Sequence, residues 1–162
     1  LTDRLAGLRL LVKRAPEAQR ESALARFYSE WQHEALVVNQ WFTLQATRPF
    51  SDAVDSVQAL SESSVFDWRN PNKVRALIGA FASGNPVAFH REDGAGYRLL
   101  ADAIIRLQKA NPQIASRLCA PLTRYRRYAS GVELMRAELE RIAGVSDLSQ
   151  DVYEVIDRSL KG

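Results

Sequence analysis

Two stretches of the sequence pair a side-chain amide with a guanidinium about one helical turn later. Asn72 precedes Arg75 by three residues, and Gln113 precedes Arg117 by four. Residues at these spacings share one face of a helix. If both helices begin at one edge of the fold, the amides, guanidinium groups and unpaired backbone N–H groups would suit a peptide carbonyl or a carboxylate. From the residues alone, the alternative that both arginines are ordinary exposed or ion-paired side chains stays open.

Each of these stretches follows an Asn-Pro step, and a third such step lies between them. The three steps begin at Asn70, Asn85 and Asn111. An asparagine side chain can cap a helix by accepting a backbone N–H, and proline at the first helical position lacks only a donor that would have no partner there. The sequence therefore predicts a helix start at each step.

A zinc-peptidase motif is begun but not completed. His33-Glu34 opens like His-Glu-x-x-His, but Val37 occupies the position of the second histidine. The only other histidine is His90 and the only cysteine is Cys119. Three strong zinc ligands are not available, so we expect no metal, no cofactor and no catalytic residue in this chain. Cys119 is expected to be a small buried residue rather than a reactive thiol.

Arg124 to Tyr128 mixes three arginines with two tyrosines, a composition found on nucleic-acid-binding surfaces. Basic residues in the last turn of a helix also complement the helix dipole, and this interpretation is favoured. The formal charge of +3 arises from 22 basic and 19 acidic residues that are mixed along the chain. We therefore predict no nucleic-acid partner. No apolar run approaches the ~20 residues of a membrane span, so no membrane partner is predicted either.

Several long stretches resemble one family. Residues 72–81 (NKVRALIGAF), 85–90 (NPVAFH), 92–97 (EDGAGY), 41–46 (WFTLQA) and 111–118 (NPQIASRL) are similar to the C-terminal helical domain of bacterial zinc aminopeptidase N. The resemblance extends from about Phe27 to the end of the chain and is loose before that. The Gly-x-Met-Glu-Asn signature of the family's catalytic part is absent.

The resemblance implies a non-catalytic part of a cytoplasmic enzyme that removes N-terminal residues from peptides. Zinc, its ligands and the general base would lie in upstream domains, which would be partners of this chain together with peptide substrates. This part would cap the active site. The positions that match Asn72, Arg75, Gln113 and Arg117 would face the substrate cavity of the full-length enzyme.

The apolar spacing predicts about nine helices and no strand. The expected ranges are about 5–13, 15–33, 34–47, 51–61, 70–83, 95–110, 111–128, 132–143 and 148–160, with Ser51 as the cap of the fourth. A bend is expected at Pro121. Short connections force neighbouring helices to pack antiparallel, so the fold class is an all-α, irregular superhelical stack of helical hairpins, a HEAT-like solenoid.

Length and composition fit one domain over residues 1–162, with 46% hydrophobic and 25% charged residues. The chain begins at Leu1 within a helical pattern, without an initiator methionine. We therefore expect the C-terminal portion of a longer polypeptide. Two alternatives stay open: a free-standing helical-repeat scaffold that binds a protein partner, and a weak RNA-binding module built on Arg124 to Tyr128.

Overall fold

The computed structural model describes residues 1–162, and its regular structure is entirely helical. The longer helices are α1 (Thr2–Arg14), α2 (Glu17–Trp31), α3 (Ala35–Ala46), α4 (Ala53–Glu62), α8 (Ala95–Leu107), α11 (Val132–Ala143) and α12 (Gln150–Lys161). The shorter segments are α5 (Pro71–Val74), α6 (Ala80–Gly84), α7 (Pro86–Phe89), α9 (Pro112–Leu118) and α10 (Ala120–Thr123). A π-helical segment, Arg75–Gly79, joins α5 to α6, and a 3₁₀ turn, Tyr125–Arg127, follows α10.

The helices form two layers. In the first layer, α1 packs on α3 and α3 packs on the π segment. The Pro71–Gly84 helix then meets α9, where Leu118 Cδ2 lies 3.9 Å from the position that a Cβ on Gly79 would occupy. In the second layer, α4 contacts α8, and α8 contacts α11. The predicted all-α stack of helical hairpins is confirmed.

One continuous core of 39 buried hydrophobic residues runs between the layers. Helix α8 passes through its centre and buries Tyr97, Leu100 and Ile104 almost completely. Trp41 is buried, while Trp31 and Trp68 are partly buried against the core. None of the helices has the length and apolar composition that crossing a bilayer requires.

The three Asn-Pro steps begin helices, as predicted. Asn70 Oδ1 accepts hydrogen bonds from the backbone N–H groups of Asn72 at 3.0 Å and Lys73 at 3.2 Å. The side chains of Asn85 and Asn111 each accept one backbone N–H at 3.2 Å. The predicted cap at Ser51 is wrong, since α4 begins after Asp52 without a side-chain cap.

Three differences raise the number of α-helical segments from nine to twelve. The turn after Asn85 is itself a short helix, α7, and the π segment divides the helix that starts at Asn70. The helix predicted to reach Tyr128 ends as α10 at Thr123 and is interrupted at Cys119, two residues before Pro121. Proline at 121 has no N–H to continue the helical pattern, which accounts for the break.

Cys119 lies at this interruption and is fully buried. Its thiol donates to the carbonyl oxygen of Ala115 at 3.3 Å. Burial raises the pKa of the thiol to about 12. The expected role as a small buried residue is confirmed.

Candidate functional site

Asn72 and Arg75 form a bonded pair on the surface at the start of the Pro71–Gly84 helix. Arg75 Nη1 donates to Asn72 Oδ1 at 2.9 Å, and both residues are exposed. The amide oxygen of Asn72 thereby orients the guanidinium group. A guanidinium has five N–H groups, so the pair can still offer a fork of donors to a carboxylate or carbonyl.

The backbone beneath this pair is the π segment. The Ala80 N–H bonds to the Arg75 carbonyl, five residues back, instead of the four of an α-helix. Thr43 Oγ1 on α3 donates at 2.8 Å to the carbonyl oxygen of Ala76. Widened turns of this type occur frequently at functional sites. The π segment and its contact with Thr43 were not predicted from the sequence.

Gln113 and Arg117 are both exposed on α9, one turn apart. Arg117 takes part in no ion pair. Because Leu118 lies next to the position that a Cβ on Gly79 would occupy, α9 runs beside the π segment. The two predicted pairs thus lie on neighbouring elements of one layer, and Arg117 and Arg75 each lie within one helical turn of Leu118 and Gly79, respectively. Their binding role stays a prediction.

The donor set of this chain does not fit zinc. His33 is exposed in the turn between α2 and α3, outside any helix, so the helical context of His-Glu-x-x-His is missing. His90 is hydrogen-bonded to the hydroxyl of Tyr97. No group of three or more His, Cys, Asp or Glu side chains has the spacing of a metal site.

The histidine that is partly buried, His90, belongs to an aromatic cluster. Its Nδ1 lies 2.7 Å from the hydroxyl of Tyr97, and its ring centroid lies 4.5 Å from that of Tyr128. Burial lowers the pKa of His90 and raises the pKa of Tyr97. The neutral imidazole is therefore favoured, which suits a structural histidine in a stack of rings.

The basic and aromatic cluster at Arg124 to Tyr128 is partly occupied by internal contacts. Tyr125 is buried, and Arg126 lies over its ring at 4.8 Å. Arg126 also donates to the carbonyl oxygens of Ser159 at 2.7 Å and Leu160 at 3.2 Å, at the end of α12. We expected these cations to complement their own helix, whereas Arg126 complements the C-terminus of another helix.

Comparison with known proteins identifies the family to which this helical fold belongs. A family profile described as a domain of unknown function with ARM repeats, DUF3458_C, matches residues 1–161. The chain belongs to this ARM-repeat family. ARM repeats are stacked helices, in agreement with the two layers described above.

The curated relatives that this DUF3458_C chain matches are aminopeptidases. It is 44% identical to the C-terminal region of aminopeptidase N of Haemophilus influenzae over 162 residues, and 44% identical to that of Escherichia coli over 161 residues. Each alignment covers 99% of this chain and 18% of the relative. The chain therefore spans less than a fifth of the length of these enzymes.

A solved aminopeptidase structure also matches almost all of this chain over a small part of its own length. The crystal structure of Legionella pneumophila aminopeptidase A in complex with aspartic acid superposes with a TM-score of 0.92 and 34% identity. The superposition covers 99% of this chain and 19% of that chain. The resemblance to the C-terminal helical domain of aminopeptidase N is confirmed, and it includes the first two dozen residues, where the sequence resemblance was loose.

Proposed function

We propose that this chain is the C-terminal helical domain of a zinc aminopeptidase that removes N-terminal residues from peptides. The proposal rests chiefly on the 44% identity to aminopeptidase N over 99% of the chain. Zinc would be held by the catalytic domains of the same polypeptide, since the donor set of this chain does not fit it. We also propose that the enzyme is cytoplasmic, as the resemblance to this family implies.

The role of this domain would be to cover the active site and to supply polar groups to the substrate cavity. Asn72 and Arg75 support this role because the guanidinium is already oriented by a bond to the amide. Gln113 and Arg117 support it because both are exposed beside the same layer and Arg117 has no ion-pair partner. A peptide carbonyl or terminal carboxylate would be held by these groups while the chemistry occurs in the catalytic domains.

The test is Arg117→Ala in the full-length enzyme. A charge-assisted hydrogen bond contributes about 1.5 to 3 kcal/mol, so kcat/KM on short peptides should fall by about tenfold to a hundredfold. A single-residue reporter substrate, which ends before this surface, should be affected much less. Gln113→Ala should change the preference among substrate side chains more than the overall rate.

Arg136 offers a matched control, because it is an exposed arginine on α11 in the other layer, where it pairs with Glu140 at 3.1 Å. Arg136→Ala should leave the activity on both substrates unchanged. If Arg117→Ala hydrolyses peptides as the unmodified enzyme does, with an unchanged melting temperature, the cavity-facing role of this surface is wrong.

A further inference from the structure

A polar groove lies in the first layer between α1 and α3, next to the π segment. Its volume is about 670 Å³. Helix α1 lines one side with Arg9 and Lys13, which lie four residues apart and so share one face. Neither cation forms an ion pair within the chain. The groove therefore has a net positive lining.

The opposite side of the groove is made of uncharged polar groups from α3. These are Asn39, Gln40, Thr43 and Thr47. Gln40 is exposed, and its amide can both donate to and accept from a ligand. The hydroxyls of Thr43 and Thr47 already donate to the carbonyl oxygens of Ala76 and Thr43, and they can still accept hydrogen bonds. A peptide backbone carries an N–H donor at every residue except proline and a carbonyl acceptor at every residue.

The groove continues to the candidate substrate surface. Thr43 lines the groove and also bonds to the carbonyl oxygen of Ala76, the residue that follows Arg75. Along α3, the lining from Leu36 to Thr47 extends over about 16 Å at ~1.5 Å per helical residue. At ~3.3 Å per residue, an extended peptide of about five residues would span this length.

We propose that this groove binds the carboxylate-bearing C-terminal end of longer peptide substrates, an inference that rests on the function proposed above. Arg9 and Lys13 complement a negative charge, and the side-chain amides and hydroxyls of α3 pair with the peptide backbone. The composition distinguishes this ligand from a permanently docked domain, because only two of the eight lining residues are hydrophobic. Cores of permanent interfaces are depleted in charged residues and are more apolar.

The experiment uses the full-length enzyme and a series of peptides of two to ten residues, each prepared with a free C-terminal carboxylate and as the amide. For the unmodified enzyme, kcat/KM should favour the free acid once the peptide is long enough to reach the groove. In Arg9→Gln combined with Lys13→Gln, the preference for the acid should fall by about three- to tenfold, since exposed charge pairs are modest in strength. The amides and the dipeptides should be unaffected.

Arg14→Gln is the matched control, because Arg14 is an exposed cation on the same helix that does not line the groove. The Arg14→Gln enzyme should prefer the free acid over the amide, in kcat/KM, as strongly as the unmodified enzyme does. An unchanged preference in the Arg9 and Lys13 variant, or an equal loss in Arg14→Gln, overturns the groove inference. If Arg117→Ala still impairs peptide hydrolysis in that case, the proposed function survives alone. Absence of peptide hydrolysis by the unmodified protein overturns both.

Discussion

The side chain of Asn85 donates a 2.7 Å hydrogen bond from Nδ2 to the carbonyl oxygen of Arg48, a residue 37 positions earlier in the chain. The same Nδ2 donates to the carbonyl oxygen of Ala46 at 2.9 Å, and Oδ1 accepts from the Ala88 N–H at 3.2 Å. Asn85 is almost fully buried. One amide therefore ties the end of α3 to the start of α7 while it also caps α7.

Replacing this amide should destabilise the chain more than removing an ordinary cap. In Asn85→Ala, the cap and the donor to two buried carbonyls are lost together, so the free energy of unfolding should fall by about 2 to 4 kcal/mol. Asn111→Ala removes only a cap, and its cost should be about 1 kcal/mol. Chemical denaturation of both variants measures the difference. Equal losses would mean that the bonds from Asn85 to the end of α3 contribute nothing net.

A second prediction concerns the coupling of Asn72 with Arg75 in the full-length enzyme. If the amide orients the guanidinium, Asn72→Ala should lower kcat/KM on short peptides by up to about tenfold when Arg75 is present. The same change made in an Arg75→Ala background should have a smaller effect, because there is no guanidinium left to orient. A double-mutant cycle on kcat/KM measures this coupling. Strictly additive effects would show that the two residues act independently.

A third prediction concerns Gly131, at the start of α11. Its φ of +76° is left-handed, and a Cβ there would lie 2.4 Å from the Tyr97 hydroxyl oxygen. Gly131→Ala should therefore lower the free energy of unfolding by about 2 to 4 kcal/mol, through backbone strain and overpacking.

Gly144, at the other end of α11, provides the comparison. Its φ is −82°, and a Cβ there would lie 3.5 Å or more from its nearest neighbours. Gly144→Ala should change the free energy of unfolding by less than about 0.5 kcal/mol. Similar thermal stability of the two alanine variants would contradict the steric argument.

A fourth prediction follows from the aromatic surroundings of His90. Burial lowers the pKa of this imidazole in the folded chain, so below the ordinary value of about 6.5 the unfolded chain binds more protons than the folded chain. The contribution of His90 is therefore constant above about pH 6.5 and falls as the pH drops from there towards the folded-state pKa. Melting temperatures recorded between pH 7.5 and 5.5 should decrease accordingly.

The variant that tests this assignment is His90→Asn, in which the decrease over the same pH range should be smaller. His33→Asn serves as the control, because His33 is exposed in the turn between α2 and α3. The control should retain the decrease of the unmodified chain. If His90→Asn retains it as well, the pH dependence originates elsewhere.

Features with a local cause could be predicted from the sequence. The caps at the three Asn-Pro steps depend on the asparagine and the two or three residues that follow it, and all three are present. The range predicted for α11, 132–143, agrees with the structure because an apolar period lies between a glycine and another glycine. Local periodicity was also sufficient for the all-α class.

Features that depend on distant residues could not be predicted. The role of Arg126 at the end of α12 requires a contact over 33 residues, and the bonds from Asn85 to the end of α3 cross similar distances. For the site, the sequence identified the spacing of Asn72 with Arg75, and the structure adds their bond. The groove between α1 and α3 had no signal in the sequence, since its polar residues come from two helices that are adjacent only in the fold.

The π segment has a consequence for how this surface can change by insertion or deletion of single residues. Each residue of an α-helix advances the chain by about 100° around the helix axis. The π segment accommodates one residue more than an α-helical turn, since the Ala80 N–H bonds to the carbonyl five residues back. A one-residue deletion within Arg75–Gly79 that restored the α-helical repeat would therefore leave Asn72 close to its present direction relative to Phe81, which is fully buried. The same deletion in a purely α-helical stretch would rotate the two by about 100°. The helix can thus lose one codon at this point without changing which face is polar and which packs in the core.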